Sequence, residues 1–586
     1  MIQSGREHNY DREFSTYSSM ITYSVDIFDS LLKMNHHSVT YYSTCLYLLF
    51  VSGSHAKSTI NQASTEQSLR CSSLAFTDLM ATKNVTILDV HLHPANVSYH
   101  APYNLVYKIV LSNLPSFCSV YGNVSTSETS SFIFLVWLPE SNWNHRFLMV
   151  GNGGFAGALN YRDCGAGIRR GFACATTNTG HNSTMFDGSW AYRNSETVID
   201  WGYRAMHQTV ILAKQIVQLY YTPSSLFKSY FQGCSTGGRQ GLKEIQEFPD
   251  DFDGILIGAP AWWNTHLQPW SVKVATFILP TDSANHISPT LFPAIHAEVM
   301  KQCDGQDGLL DQIISEPFGC DFNWNSLLCS ATSKRTSQCL KSEQLDALYK
   351  LYHDYVETNN TYIFSHMPFG SELQWNALLG QNEPSPLGLD FVRYFILNDP
   401  NWNYTSFDYS IIEKADRLRP GNANADNFNL RPFFIRGGKV IHYHGLADGL
   451  IPPGSSQYFY DHVYRNHTEL NLDDYYRFFH VPGLQHCAST STNAPWVIGG
   501  AGQDAFLGDP WSGVPYFNDS QHDALLALID WVENGIVPEK IIATRYTHDD
   551  PSQGVSRQRP ICPYPKKALY LGCGSIDDPN NFYCST

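Results

Sequence analysis

The chain has 586 residues, 43% of them hydrophobic and 16% charged, with a formal net charge of −16. Such a composition belongs to a globular protein with a large core and excludes a disordered chain. The acidic balance repels phosphate backbones and anionic lipid, so no nucleic acid and no membrane is an expected partner.

Taken in chain order, the first 56 residues do not read as part of a fold. A mostly apolar stretch from Val39 to Val51 follows Lys33, His36 and His37, and Ser54-His55-Ala56 places small residues before a cleavage point. This is the layout of a secretory signal peptide removed after Ala56. Met34 is then the expected start, and residues 1–33 an upstream extension. A buried N-terminal strand or helix is the alternative. Export agrees with fourteen cysteines, thirteen of them after Ala56, which is many for a chain kept reduced. Eight N-x-S/T sequons begin at Asn84, Asn96, Asn123, Asn182, Asn359, Asn403, Asn466 and Asn518, and predict a glycoprotein. The odd thirteen leaves one thiol unpaired.

Residues 147–260 and 430–535 alternate short apolar runs with helix-period segments, which predicts strands joined through helices in one sheet. Strands are expected at Phe147–Val150, Ser229–Gln232, Gly254–Gly258, Val440–Tyr443 and Arg477–Val481. Helices are expected over 199–220, Gly238–Glu247 and Ala524–Asn534, the last ending at Gly535. Residues 261–430, rich in Trp, Asn and Pro, read as an inserted second domain over the edge where such sheets bind ligands. Residues 57–260 and 431–586 then make the catalytic domain. The tail from Pro551, with Cys562, Cys573 and Cys584, is expected to be stapled back onto the core.

Gly233-Cys234-Ser235-Thr236-Gly237 fits G-x-S-x-G between a strand and a helix, where glycines permit a turn tight enough to expose a serine nucleophile. The partners should follow in the order Asp, His. Asp448 lies in the loop after the strand Val440–Tyr443, and His486 in the loop after Arg477–Val481. Read blandly, Asp448 is a turn residue and His486 one of 23 ordinary histidines. If Ser235 and His486 meet, Cys234 and Cys487 are brought within bonding range; a buried Cys234 thiol with Cys487 paired elsewhere is the alternative. Oxyanion donors are expected from the N–H of Thr236 and from Gly153 or Gly154 in the glycine-rich run 151–157.

Asp304, Asp307 and Asp311 share a glycine-turned loop, and their oxygens with the carbonyls of Leu309 and Ile313 would suit Ca²⁺. A solvated acidic turn is the simpler reading of these residues alone. Cys303/Cys320 and Cys329/Cys339 look like local staples, and Cys71, Cys118, Cys562 and Cys584 are counted as disulfide-bonded too. Lys334-Arg335, inside the second staple, is a dibasic pair open to secretory proteolysis.

Together, the segments 233–241, 248–254, 444–448, 482–487 and 559–565 resemble the tannase and feruloyl esterase family. The resemblance implies an α/β-hydrolase core with an inserted lid domain, a Cys234–Cys487 bond, and a Ca²⁺ ion in the lid loop 304–313. Gln312 stands there where the family usually has Gly, and the usual partners of Cys164 and Cys174 cannot be placed. It also implies a secreted serine esterase, without organic cofactor, acting on phenolic acid esters. Feruloyl esters are the expected substrates; galloyl esters, a non-catalytic binding role and a serine peptidase are the alternatives. Substrate choice is expected to lie with the lid and aromatics such as Trp262, Trp263 and Trp270, with core packing the plainer reading of any one of them.

Overall fold

In the computed structural model, the described residues are 70–80, 84–101, 109–221, 227–330, 338–357 and 359–586. The expected signal peptide, Met34 and the Lys334-Arg335 pair lie outside them.

A nine-stranded sheet organises residues 71–586. Its strands are β1 (Val85–His93), β2 (Phe117–Ser125), β3 (Ser131–Pro139), β4 (Arg146–Val150), β5 (Ala173–Thr177), β6 (Lys228–Cys234), β7 (Gly254–Gly258), β8 (Lys439–Gly445) and β9 (Tyr476–Val481). They lie in the order β1-β2-β3-β5-β4-β6-β7-β8-β9. The first three pair antiparallel, and β3 is antiparallel to β5. From β5 to β9 every pairing is parallel. This is an α/β-hydrolase sheet, with its parallel half buried on both faces.

Alternation along the strands divides the core. In β6, Tyr230 joins the cluster containing helices α1 (Tyr161–Arg169) and α6 (Ala524–Asn534). Its neighbour Phe231 joins the opposite cluster, with α2 (Ala205–Tyr221) and α3 (Thr236–Glu247). Gly535 caps α6 at φ 71°, a left-handed position that glycine adopts without strain.

Residues 259–438 are inserted between β7 and β8. They are mainly helical, with α4 (Asn264–Ala275) and α5 (Phe292–Cys303) the longest. Trp270, Trp375, Phe391 and Ile412 anchor an apolar cluster there that also takes in Phe155, Trp201 and Ile451 from outside the insertion.

Among the described residues five disulfides form: Cys71–Cys118, Cys234–Cys487, Cys303–Cys320, Cys329–Cys339 and Cys562–Cys584. Three of the described cysteines are free rather than the one expected from the odd count: Cys164 and Cys174, both buried, and the exposed Cys573. The tail's staple closes within the tail itself, and it reaches the sheet through the Tyr564 N–H, which donates to the Phe478 carbonyl at 2.6 Å.

Candidate active site

Ser235 sits where β6 ends and α3 begins, with φ 62° and ψ −123°. A left-handed φ at a residue with a side chain is strained backbone of the kind that accumulates at functional sites. Sequence makes the turn possible. A Cβ on Gly233 would lie 2.6 Å from the Gly237 carbonyl carbon, and one on Gly238 would lie 2.6 Å from the Gly258 carbonyl oxygen. Only glycine fits at either point.

Asp448 and His486 meet beyond the carboxyl ends of β8 and β9. His486 Nδ1 donates to Asp448 Oδ2 at 2.7 Å, and the carboxylate is fully buried. Its other oxygen accepts the N–H groups of Leu450 at 2.8 Å and Ile451 at 2.9 Å. Burial alone would raise the Asp448 pKa, but the charge of His486 and the hydrogen bonds from His444 and His486 outweigh it and hold the group well below the usual range. An ionised carboxylate only accepts, so the proton of the pair is on Nδ1 and Nε2 is left as the basic atom. The Cys234–Cys487 disulfide joins the residue before Ser235 to the residue after His486, with Cα atoms 5.9 Å apart.

Behind Asp448 runs a buried chain of hydrogen bonds. His444 Nε2 lies 2.8 Å from the Ile451 carbonyl and 3.1 Å from Asp448 Oδ2, both acceptors, so this nitrogen carries the hydrogen. With neutral rings, His444 Nδ1 then accepts from Ser456 Oγ at 2.7 Å, and Ser456 Oγ accepts from His442 Nε2 at 3.0 Å. His442 Nδ1 accepts from the Tyr476 hydroxyl at 2.8 Å. Burial pushes His442 far below its ordinary pKa, so it takes part uncharged. Every donor in the chain points towards the carboxylate.

The glycine-rich run reaches the same turn. Thr236 Oγ1 donates to the Gly154 carbonyl at 3.0 Å, and Gly154 adopts φ 54°. The Asn152 N–H donates to Gln240 Oε1 at 2.9 Å, while Gln240 Nε2 donates to Asn152 Oδ1 at 3.1 Å. This reciprocal pair locks the loop holding Gly153 and Gly154 against α3. Thr236 is the first residue of that helix, where the helix itself offers its N–H no acceptor.

The tryptophans singled out in the sequence do not line this site. Trp262 and Trp270 are packed in the core, 2% and 0% exposed, and Trp263 is part-buried against Trp262 and His266.

In the loop 304–313, Asp304 Oδ1 accepts the N–H groups of Asp311 at 3.2 Å and Ile313 at 3.1 Å, and Asp307 Oδ1 that of Leu309 at 3.0 Å. Burial raises the pKa of Asp307 and Asp311, and neighbouring aspartates add to it. Arg559 pairs with Asp311 at 2.7 Å. Buried carboxylates in excess of their cationic partners, with only oxygen donors in the loop, fit a hard divalent cation. Among the described residues, though, the one trio whose ligand atoms all lie within 4.8 Å of one another is His207, Glu244 and Asp251. There His207 Nδ1 pairs with Asp251 at 2.8 Å and Lys214 lies 4.0 Å from the same carboxylate, so two cations balance the two acids.

A serine on a strained turn, a histidine oriented by a buried carboxylate, and a glycine loop beside the first turn of a helix are the parts of an acyl-transfer site. The sequence pattern of the family described as "Tannase and feruloyl esterase" matches residues 118–585. The chain belongs to that family. In Aspergillus oryzae, the protein described as "Probable feruloyl esterase B-1" is 36% identical over 472 residues, covering 80% of this chain and 84% of that one. The crystal structure of feruloyl esterase B from Aspergillus oryzae superposes with a TM-score of 0.80 at 35% identity, covering 88% of this chain and 99% of the other. A tannin acyl hydrolase from Aspergillus niger shares the fold, with a TM-score of 0.65 at 21% identity over 86% of this chain and 91% of that one. As a member of the tannase and feruloyl esterase family, the chain is a carboxylic ester hydrolase.

Sequence reading missed His444, Gln240 and Ser456. His444 lies four residues before Asp448 in the segment 444–448, and that spacing after a strand is the one signal for it.

Proposed function

We propose that this esterase is a secreted feruloyl esterase, releasing ferulic or related hydroxycinnamic acids from phenolic esters of plant cell-wall polysaccharides. The acyl preference is supported by the relatives at 33–36% identity, which are described as feruloyl esterases B-1 and B-2. Five disulfides agree with an oxidising destination. No helix among the described residues is long and apolar enough to cross a membrane.

The observation that carries the mechanism is the bond between Cys234 and Cys487, which places Ser235 and His486 next to one covalent link. His486 Nε2 takes the Ser235 hydroxyl proton as Oγ attacks the ester carbonyl. The carbonyl oxygen becomes negative and is met by the N–H of Thr236 and that of Gly153 or Gly154. Asp448 holds the imidazolium. His486 then protonates the departing alcohol, the C–O bond breaks, and the acyl group stays on Ser235. His486 then takes a proton from water as its oxygen attacks the acyl carbon, and gives that proton to Ser235 Oγ as the acyl–serine bond breaks and the acid leaves.

Asp304, Asp307 and Asp311 with the carbonyls of Leu309 and Ile313 would hold a Ca²⁺ ion. Its chemistry there is structural: it neutralises buried carboxylates and ties the loop together.

Comparing kcat/KM for methyl ferulate and methyl gallate tests the acyl preference. We expect ferulate to be favoured; a preference for gallate would make the enzyme a tannase, the reading the family name keeps open.

A further inference from the structure

The geometry points to Gln374, supplied by the inserted segment, as a positioning residue for the catalytic base; the inference rests on the serine-esterase reading above. The Gln374 carboxamide oxygen accepts two backbone N–H groups, that of His486 at 3.1 Å and that of Gly449 at 3.0 Å. One acceptor thereby joins the loop bearing His486 to the loop bearing Asp448. A carbonyl oxygen has two lone pairs, so this one is fully used. The contact is close-packed: a Cβ on Gly449 would lie 2.7 Å from Gln374 Cβ and 2.7 Å from the Ser371 carbonyl oxygen. Gly449 therefore leaves no gap between the insertion and the Asp448 loop.

The brace stands on a fixed base. Gln374 ends a single turn, Glu372–Gln374, whose first residue is fully buried. The Glu372 carboxylate accepts the Tyr352 hydroxyl at 2.6 Å and the Gly370 N–H at 2.8 Å, and pairs with His296 Nδ1 at 2.6 Å. On the other side, buried Trp375 donates its indole N–H to Ser371 Oγ at 2.8 Å. A side chain mounted this rigidly transmits the position of the insertion to the base.

Gln374 also lines an open cavity of about 440 Å³ with Leu373, Asn376, Ala377, Leu450 and His486. The turn that walls this cavity is thus the turn that fixes the imidazole. Misplacing His486 by about 1 Å shifts Nε2 relative to the serine proton it is to take, and such displacements weigh heavily on rate. The insertion is part of the catalytic apparatus through this one amide, without the amide touching the reacting atoms.

Three variants test the assignment: Gln374→Met, which keeps the shape without the acceptor, Gln374→Glu, which keeps the acceptor and adds a charge, and Ser235→Ala. Each is measured by steady-state hydrolysis of methyl ferulate across pH and by the rate of labelling with a small alkyl fluorophosphonate. The small probe reports the serine–histidine pair with little demand on the cavity. For Gln374→Met we expect kcat and the labelling rate to fall together, roughly 10- to 100-fold, with KM little changed. Gln374→Glu should retain most of the rate and move the acid limb of the profile to higher pH, because a nearby carboxylate favours the imidazolium. Labelling of Gln374→Met at the wild-type rate, or a change confined to KM, would overturn the assignment. Wild-type protein that is not labelled, or Ser235→Ala that is, would instead overturn the serine-esterase reading on which the assignment rests.

Discussion

Cys234 and Cys487 are joined although 253 residues separate them in the chain, and the serine and the histidine are the next residues along. The link closes the longest loop among the five disulfides. On the chain-entropy model it contributes about 5 kcal/mol, more than the shorter loops do. Replacing both cysteines by alanine should lower the unfolding free energy by several kcal/mol in urea titrations. It should also lower kcat in the fraction that stays folded. A double variant with unchanged kcat would mean that the sheet alone positions the pair.

Asp448→Asn tests the orientation of the base. The amide can present N–H where the carboxylate presented oxygen, so the imidazole loses the partner that holds hydrogen on Nδ1. We expect kcat to fall on the order of 10³- to 10⁴-fold with the unfolding midpoint little moved. Stopped assays with methyl ferulate across pH measure it.

The buried chain from Tyr476 to Asp448 makes a separate prediction. His444→Phe fills the space of the ring and removes one of two ring donors to Asp448 Oδ2. A hydrogen bond to a charged group contributes about 1.5–3 kcal/mol, so stability should fall by that order and kcat should fall with it. His444→Gln can return an N–H and should recover part of both. Equal losses in the two variants would show that ring packing, and not the donor, matters.

Much of this was legible in the sequence, and the reasons are local. β7 and α6 have the expected bounds, Gly254–Gly258 and Ala524–Asn534, because glycines mark both ends of the strand and the C-terminal end of the helix, and apolar residues fill them. β6 and α3 were found through the glycine motif between them. The antiparallel strands β1 to β3 were not read. Ser131–Pro139 is apolar at nearly every position because it is buried on both faces, so it lacks the alternation that marks a half-buried strand. Gln374 and Gln240 were beyond reach for a different reason: each acts on a backbone distant in sequence, and an amide has no spacing that announces such a contact. Trp262 and Trp270 take the plainer of their two readings, core packing, because an aromatic side chain suits a core as well as a substrate wall.

Alkaline pH should weaken the fold through His207 and Glu244. Burial opposes the charge of His207, but its hydrogen bonds to Asp251 and Glu244 outweigh this and raise its pKa from 6.5 to about 9. Burial raises Glu244 from 4.5 to about 7. Both pKa values are higher in the native state, so each group binds its proton more tightly in the folded protein. His93, His181, His442 and His480, whose pKa values burial depresses, act oppositely below pH 6.5. The loss of stability is therefore expected as pH rises from 6.5 to 9. Denaturant titrations at intervals across that range should show the decline, and His207→Gln should flatten it.

Metal removal tests the loop 304–313. Dialysis against EGTA should lower the unfolding midpoint, and added Ca²⁺ should restore it; saturation at 100 times Kd corresponds to about 2.7 kcal/mol. Asp307→Asn should abolish the response. A midpoint indifferent to both chelator and calcium would leave the loop as an acidic turn held by Arg559.

The most direct test of the central claim is hydrolysis of methyl ferulate by the wild-type protein and by Ser235→Ala, compared at matched unfolding midpoints. The account predicts turnover by the wild type and a loss of at least about 10³-fold in the variant. Ferulate turnover that survives the loss of the Ser235 hydroxyl would contradict it.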